Sequence, residues 1–542
     1  MSTAATTPDR KASAGAWSPL AVPMFRTVWI ATVVSNVGTW LSAVGTTWLM
    51  TLISPSPLMV TLVQAASTLP IFLLALPAGA LADVVDRRRL LVLVQAFIAA
   101  IAAMLGIATL LGWATAWVVL IATFLTGVGA ALTMPAFQAI VPDLVPKSEL
   151  KAAIALNSVG MNVSRAIGPA LAGAVIAAFG IAAPFLLNAA SFLGVIAVFV
   201  RWKSPTHETQ LPAERLVAAM RTGLRYAREA PELRATLVRA GGFFGFASGY
   251  WALLPLVARD RLGGGAGAYG ILLGCLGTGA VVGALYLPRI RERLSPDRLV
   301  LGASLGTAAV VAALAAAQNF FVAVPLLLIA GVFWITVLST LNVSAQVALP
   351  AWVKARGLSI YLLVFNGGLA IGSPLWGYVA DELGIPAALV LSAIGLAAAC
   401  MLTRRWTLPA AEGRDLSPSM HWPAPLIAID DLEAEQGPVM IEVEYRIDSA
   451  RRVEFSLALE ELGRIRRRDG AIFWRHFVDS EEPARHIEAF VVESWLQHLR
   501  QHERVTASDR PIQDRVHAFH LGPDPPRVVH LVPASSQRSN RP

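Results

Sequence analysis

Arg165 is the residue whose position most strongly invites chemistry. It is the only charged residue between 152 and 200 of this 542-residue chain. An arginine left in hydrocarbon costs at least about 2.5 kcal/mol, so it must face protein or a watery cavity. No Asp or Glu stands inside any apolar stretch to neutralise it, which leaves helix carbonyls, a polar set such as Asn162 and Gln138, or an anionic substrate as partner. Three residues on comes Gly168-Pro169. The remaining polar residues within apolar stretches are few: Asn36, Gln64, Gln95, Gln138, Asn157, Asn162, Asn188, Asn342, Gln346 and Asn366. Each could line a substrate or ion pathway, or simply bond to a neighbouring helix, an interaction worth about 0.6 kcal/mol on average in membranes. Trp40, Tyr250, Trp251, Trp334 and Trp376 lie equally deep and could stack on an aromatic substrate or pack in the core.

Other chemistries lack their residues. There is no Ser-His-Asp pattern and no Gly-Lys-Ser/Thr phosphate loop, which argues against hydrolase chemistry and direct ATP drive. Cys275 and Cys400 both fall in apolar runs and suggest no disulfide framework. Eight of the nine histidines follow residue 405, and His498 and His502 share the i, i+4 spacing that can hold a metal. No Glu-flanked zinc motif accompanies them, so a solvated helix face is expected, with no metal and no cofactor.

The elements that position these residues are membrane spans. Only 15% of residues are charged, against about a quarter in soluble proteins. No Asp, Glu, Lys or Arg occurs in 27–82, 90–142, 240–258, 262–288, 299–353, 357–380 or 383–403. A span needs about 20 helical residues. Stretches near fifty therefore hold two, and turn signals such as Ser54-Pro55-Ser56-Pro57 divide them; with two more from 152–200, broken only by Arg165, the total is twelve spans. Residues 1–404 hold 26 Lys+Arg against 14 Asp+Glu, and residues 405–542 hold 18 against 22. The basic excess sits in alternate loops, at Arg87 to Arg89, Lys147 with Lys151, 201–234, Arg289 to Arg298, and Lys354 with Arg356, while the intervening loops are nearly bare. Only Arg259 and Arg261 break the pattern. This is the positive-inside signature of a plasma-membrane protein with both termini cytoplasmic, not a nucleic-acid footprint.

A shift of 204 superimposes the two halves. It maps Gly79-Ala80-Leu81 onto Gly283-Ala284-Leu285, Asn162 onto Asn366, Ala166-Ile167-Gly168 onto Ala370-Ile371-Gly372, and Gly173 onto Gly377. It also relates Gln138 to Asn342, so two polar pairs sit at pseudo-symmetric positions, as suits a central cavity between repeats. After span 2 the chain reads Gly79-Ala-Leu-Ala-Asp83-Val-Val-Asp86-Arg87-Arg88-Arg89, and span 5 carries Gly168-Pro169. The loop is similar to the signature loop of the major facilitator superfamily, and the Gly-Pro pair to a motif of its exporting branch. With Ala252-Leu-Leu-Pro255-Leu-Val-Ala-Arg259, the chain resembles the transmembrane secretion effector group, which includes enterobactin exporters.

The resemblance covers roughly residues 20–405. It implies a secondary active exporter of a small amphipathic molecule by alternating access, with Gly79, Asp83, Asp86, Arg87 and Arg88 as a gating motif that clamps the halves. It departs from the family pattern in Val84 and Asp86 for the usual Arg and Gly, in Leu287 for Asp in the second half, and in a span 4 without the Arg tied to proton coupling.

The fold class expected is an all-α membrane protein, by resemblance the major facilitator fold of 6+6 pseudo-symmetric spans, followed by a soluble α+β domain. The divisions are a disordered tail 1–25, a six-span half 26–201, a linker 202–235, a second half 236–405, a linker 406–437, a domain 438–533 and a tail 534–542. In the first linker Leu216, Met220, Leu224 and Ala227 share one helical face and Arg221, Arg225 and Arg228 another, a pattern that suits a helix lying on the cytoplasmic leaflet. The soluble domain reads strand 439–447, helix 449–468, strands 471–479 and 485–492, helices near 493–503 and 508–519, and a strand near 527–532, an order that suits a ferredoxin-like domain. It loosely resembles dimeric α/β-barrel domains of the monooxygenase type. The partners expected are the lipid bilayer and a small-molecule substrate, with proton coupling and a homodimer through the C-terminal domain as further options, and no nucleic acid. A membrane-anchored monooxygenase is the alternative function.

Overall fold

The computed structural model describes residues 17–146, 148–202, 216–409, 415–419 and 436–533, without the side chains of 75, 76, 79, 80, 82–84, 139 and 216–220. The expected tails up to residue 16 and from 534, Lys147, Lys203 and the linker stretch 420–435 lie outside the described residues, as do the side chains of Asp83, Leu216 and Met220.

Among the described residues, twelve helices are long and apolar enough to cross a membrane. The first six are α1 (Pro23–Ile53), α2 (Pro57–Val84), α3 (Arg87–Leu110), α4 (Ala116–Leu144), α5 (Leu150–Phe179) and α6 (Ala183–Arg201). After the linker helix α7 (Leu216–Glu229) come α8 (Pro231–Leu256, prolonged by one wide turn, Val257–Arg261), α9 (Ala266–Arg291), α10 (Pro296–Ala316), α11 (Phe320–Val347), α12 (Lys354–Leu383) and α13 (Ile385–Thr403). Proline in the first turn starts α1, α2, α6, α10 and α13, where its missing N–H has no intrahelical partner to lose. Side chains of Asp86, Thr115 and Ser295 cap α3, α4 and α10.

The internal repeat is visible in the backbone. Gly180 (φ 83°) ends α5 and Gly384 (φ 85°) separates α12 from α13, again 204 residues apart. Both take the positive φ that glycine adopts without steric cost. Within the first half Phe25, Leu91, Ile98, Ile140, Leu156 and Phe199 form a packed core. Large apolar side chains such as Leu93, Phe321 and Leu402 instead stand outward, at 68%, 81% and 71% exposure. That much exposed hydrocarbon suits lipid as solvent.

The chain divides into two compact units, the first built of membrane helices and the second gathering the tail domain with α7 and residues 341–361. The tail domain is a four-stranded antiparallel sheet of β1 (Val439–Arg446), β2 (Phe473–Val478), β3 (Arg485–Val492) and β4 (Arg527–Leu531), in the order β2-β3-β1-β4. Its helices are α14 (Arg452–Asp469), α15 (Trp495–Arg504) and α16 (Arg510–His517). Val439, Ile441, Val443 and Tyr445 alternate inward from β1 and pack with Phe455, Leu459, Leu462, Trp495 and Val516 from the helices. Glu488 is fully buried in this core and accepts from Trp474 Nε1 at 2.9 Å and from Arg466 Nε at 3.2 Å.

Two expectations are corrected here. The basic face of the linker helix is only partly free for lipid headgroups: α7 packs on α14, Arg225 donates to the Gly470 carbonyl at 2.6 Å and pairs with Glu493, and Glu229 pairs with Arg467, while Arg221 and Arg228 stay exposed. Nor is the His498 face solvated. His498 is 2% exposed, wedged against Trp495 and His530, because α15 turns that side to the sheet.

Candidate functional site

Residue by residue, α5 has two contrasting stripes between its packed faces. Gly160, Ser164 and Gly168 face α1, so closely that a Cβ on Gly168 would lie 2.5 Å from Trp40 Cβ. Ala166, Pro169 and Gly173 face α9, where a Cβ on Gly270 would lie 2.5 Å from the Pro169 carbonyl oxygen. Of the two remaining sides, one carries Val163, Ile167 and Leu171, all exposed and apolar. The nearly opposite side carries Ser158, Asn162 and Arg165 at helical spacing i, i+4, i+7. Hydrocarbon suits the first stripe and a watery interior the second. Arg165 is half-buried, and among the described residues its guanidinium has no hydrogen-bond or ion-pair partner. Asn162 is exposed on the same stripe and returns its amide to the Ser158 carbonyl at 2.9 Å.

The other pathway candidates divide. Asn36 is half-buried on α1 and Gln138 is exposed on α4. Asn342 accepts from Gln346 Nε2 at 2.7 Å on the exposed side of α11. Asn366, the repeat partner of Asn162, is buried and spends its amide on the Leu362 carbonyl of its own helix. The two members of that pair therefore differ in surroundings. Tyr250, Trp251 and Trp334 pack on one another with Phe243 and Phe244, and Trp376 donates to the Gly245 carbonyl at 3.1 Å, which makes them core residues of the second half.

The halves meet at the end of the bundle that bears the bare loops. Asp381, at the end of α12, accepts from Ser56 Oγ at 2.7 Å and from the Leu58 amide at 3.3 Å, at the start of α2. Arg259 donates to the Thr51 carbonyl at the end of α1 and pairs with its neighbour Asp260. Trp48 stacks on Tyr269 with ring centroids 6.0 Å apart. Two repeat-related glycines complete the seam. Gly173 abuts the backbone of Ala266 and Gly267, and Gly377 abuts Leu58 and Thr61. Toward mid-depth the seam continues through Arg165 against Gly277 and Phe72 against Gly367.

At the basic end Asp86 and Arg88 of the signature loop serve their own half. Asp86 caps α3 by accepting from the Arg89 amide at 2.7 Å. Arg88 donates to the Phe199 carbonyl at 2.9 Å and to that of Val200, the unsatisfied C-terminal end of α6. Arg87 is half-buried beside them, and Gly79 and Asp83 are among the residues without described side chains. Sequence reading missed Gly377, Thr61, Asp381 and Arg259 as residues of the seam between the halves. The repeat that paired Gly173 with Gly377, and the two arginines that broke the charge pattern, were the available signals.

A family model for transmembrane secretion effectors matches residues 14–539, tail domain included. The chain belongs to that family, within the major facilitator superfamily. Among its relatives, the staphyloferrin A transporter of Staphylococcus aureus is 26% identical over 375 residues, covering 67% of this chain and 91% of the relative. The enterobactin exporter of Salmonella typhi is 24% identical over 377 residues, 69% and 90% of the two chains. A macrolide efflux protein of Streptococcus pyogenes is 22% identical over 265 residues, 48% and 65%. Among solved structures, a POT family transporter in complex with 5-aminolevulinic acid aligns with a TM-score of 0.59 at 13% identity, over 72% of this chain and 96% of its own. A bacterial homologue of the lysosomal transporter Spinster, inward-facing and occupied, aligns with a TM-score of 0.57 at 14% identity, over 72% and 98%. At such identities the likeness is one of fold. The family and its named relatives are transporters, and so the chain is a membrane transport protein rather than an enzyme.

Proposed function

We propose that this transporter is a secondary active exporter of a small amphipathic molecule with an anionic or electron-rich face, of siderophore type, working by alternating access. The observation that carries the proposal is Arg165: a lone span charge, without a protein partner among the described residues, on the polar stripe of α5 and beside the α9 seam. A planar guanidinium recognises carboxylate or catecholate oxygens in two-pronged fashion, and an unpaired one in the membrane needs such a partner. Two named relatives that move siderophores agree with that chemistry.

In this proposal the basic end is cytoplasmic, along with both termini. A seam running from the bare end to mid-depth then corresponds to the inward-facing state. Opening outward would part that seam and bring Asp83 and the neighbouring loop against the second half as a clamp. Gln138, Asn162, Arg165, Asn36, Asn342 and Gln346 would be the pathway residues. Gly168 and Pro169 hold α5 against its neighbours. Proton coupling would have to use groups at span ends, because no span holds an embedded carboxylate.

The tail would be a ferredoxin-like module, as the strand order and the two crossing helices suggest. Its open sheet face bears a row of Phe473, Val491, Met440 and Leu531 in register, with Phe473 and Leu531 exposed at 41% and 44%. A second copy of the domain is the proposed cover.

The test is uptake of catecholate and carboxylate siderophores into inside-out vesicles. Arg165→Gln should abolish uptake at normal membrane abundance, whereas Arg165→Lys, which keeps the charge but loses the fork, should retain part of it. Normal transport by the Gln variant would refute the role of Arg165.

A further inference from the structure

The polar stripe of α5 has a counterpart on α1. Trp29 Nε1 donates to the Leu156 carbonyl at 3.0 Å, Ser164 Oγ donates to the Val33 carbonyl at 3.3 Å, and Trp40 abuts Gly168. These contacts climb both helices together, so α1 and α5 run parallel. Gly38 and Gly45 turn another face of α1 to α6, against Asn188 and Phe185. Of the two sides left over, one carries Ile30 and Val34, apolar and exposed at 51% and 54%. The nearly opposite side carries Thr32, Asn36 and Thr39 at i, i+4 and i+7, the same spacing as Ser158, Asn162 and Arg165 on α5. In a parallel pair with these contacts, both polar stripes fall on one side and both apolar stripes on the other. With Trp40 level with Gly168, Asn36 one turn lower stands level with Arg165, and Thr32 lies between the levels of Ser158 and Asn162.

The internal repeat shows that the fold does not require this polar wall. The 204 shift carries Gly38 and Gly45 onto Gly242 and Gly249, which face α13 as the first pair faces α6. The pair α8 and α12 is therefore the counterpart of α1 and α5. There Asn36, Thr39, Ser158 and Arg165 are replaced by Ala240, Phe243, Leu362 and Leu369, while Thr32 and Asn162 keep their types in Thr236 and Asn366. Apolar residues serve the packing equally well in the second half, so the polarity of the first has another use. Its hydrogen-bonding capacity is only partly spent within the helices. Thr39 Oγ1 donates to the Ser35 carbonyl at 2.9 Å and Ser158 Oγ to the Ile154 carbonyl at 3.1 Å, so each hydroxyl offers its oxygen as an acceptor. Asn36, like Arg165, has no hydrogen-bond partner among the described residues.

We propose that α1 and α5 together form the recognition wall for the transported molecule. Arg165 and the Asn36 amide bind one anionic group, and Thr39 and Ser158, to either side of it along the helices, accept from hydroxyl or N–H donors of the same molecule. This rests on the reading of the chain as an exporter of an anionic molecule, and it narrows the substrate class. The substrate carries an anionic group flanked by hydrogen-bond donors about 5–10 Å away, the span of one to two helical turns. A simple amphiphilic anion without such donors leaves the hydroxyl oxygens of the wall unanswered and is the poorer substrate.

Uptake of enterobactin and of staphyloferrin A into inside-out vesicles tests this on the full chain. Asn36→Leu and Thr39→Val should each raise KM about tenfold, the scale of one lost hydrogen bond, with little change in maximal rate or membrane abundance. Thr39→Ser, which keeps the acceptor, should retain the parent KM. Asn36→Asp keeps the size of the side chain and gives Arg165 an internal counter-charge. It should abolish uptake in protein as abundant as the parent, whereas an Asn36 that only served packing would tolerate the change. Unchanged KM in both Asn36→Leu and Thr39→Val, or normal uptake by Asn36→Asp, overturns the inference, and the exporter reading survives that result if Arg165→Gln is inactive. Uptake of neither molecule by the parent overturns that reading, and this inference with it.

Discussion

Replacing Gly377 with alanine should open the bare end of the bundle. A Cβ at 377 would stand 1.8 Å from Thr61 Oγ1, 3.0 Å from Thr61 Cβ and 2.9 Å from Leu58 Cα. The hydroxyl could turn away, but the Leu58 contact is backbone and Thr61 is fully buried, so α2 and α12 must separate. Overpacking of this kind costs about 1–3 kcal/mol. The cost falls only on the state in which this end is closed, so it converts to a shift of about 5–150-fold toward the opposite state. With Cys275 and Cys400 replaced by serine, a cysteine at Asn162 on the polar stripe reports the change. An impermeant maleimide applied at the bare end should label it faster in Gly377→Ala than in the parent at equal membrane abundance. Adding Thr61→Ala removes the closest clash but not the Leu58 contact and should restore part of the protection. Labelling that is unchanged or slower in Gly377→Ala would refute the assignment of this seam as the closed gate.

Three further outcomes follow from other contacts. Asp381→Ala removes the carboxylate oxygen that accepts from Ser56 Oγ and the Leu58 amide at the start of α2 and should loosen the same end more mildly, by about 1 kcal/mol as for a lost helix cap, read by the same labelling. Glu488→Ala leaves Arg466 buried without its counter-charge and should destabilise the tail domain by about 3–5 kcal/mol, seen as earlier thermal unfolding and faster proteolysis beyond residue 436. His498, held down to about 3 mainly by burial, stays neutral when folded but takes a proton near pH 6.5 when unfolded. Stability of the tail should therefore fall as pH drops below about 6.5, by at most about 1.4 kcal/mol per unit from this group. Asp469, raised to about 6 by burial, acts in the opposite sense between about pH 6 and 4, so the measurement is the difference between wild type and His498→Gln, whose slope should be flatter.

Much of the architecture was legible before any tertiary contact. Charge-free stretches marked ten of the twelve spans and the stretch 152–200, broken only by Arg165, the other two, because a helix in lipid must be apolar along most of its length and that is a local property. The tail strands came within a residue or two, because Val439 to Tyr445 alternate inward and outward with period two. The 204 shift surfaced again in Gly180 and Gly384, since a positive φ demands glycine wherever the repeat places it. Arg165 was conspicuous as the one charge deep in a span, and the structure leaves it on a polar stripe.

Which helix meets which was not written in any one segment. Gly377 reads as one more glycine in an apolar run until Thr61, more than 300 residues away, is packed against it. Arg259 looks like an exception to the charge rule until the Thr51 carbonyl accepts from it. Arg225, on the α7 face that suited lipid by periodicity, is taken by Gly470 and Glu493, and the exposed-looking His498 is covered by the sheet. Periodicity tells that a face must be covered or solvated. Only the packing of distant segments decides what covers it, because that choice depends on shape and charge brought together from parts of the chain that share no local pattern.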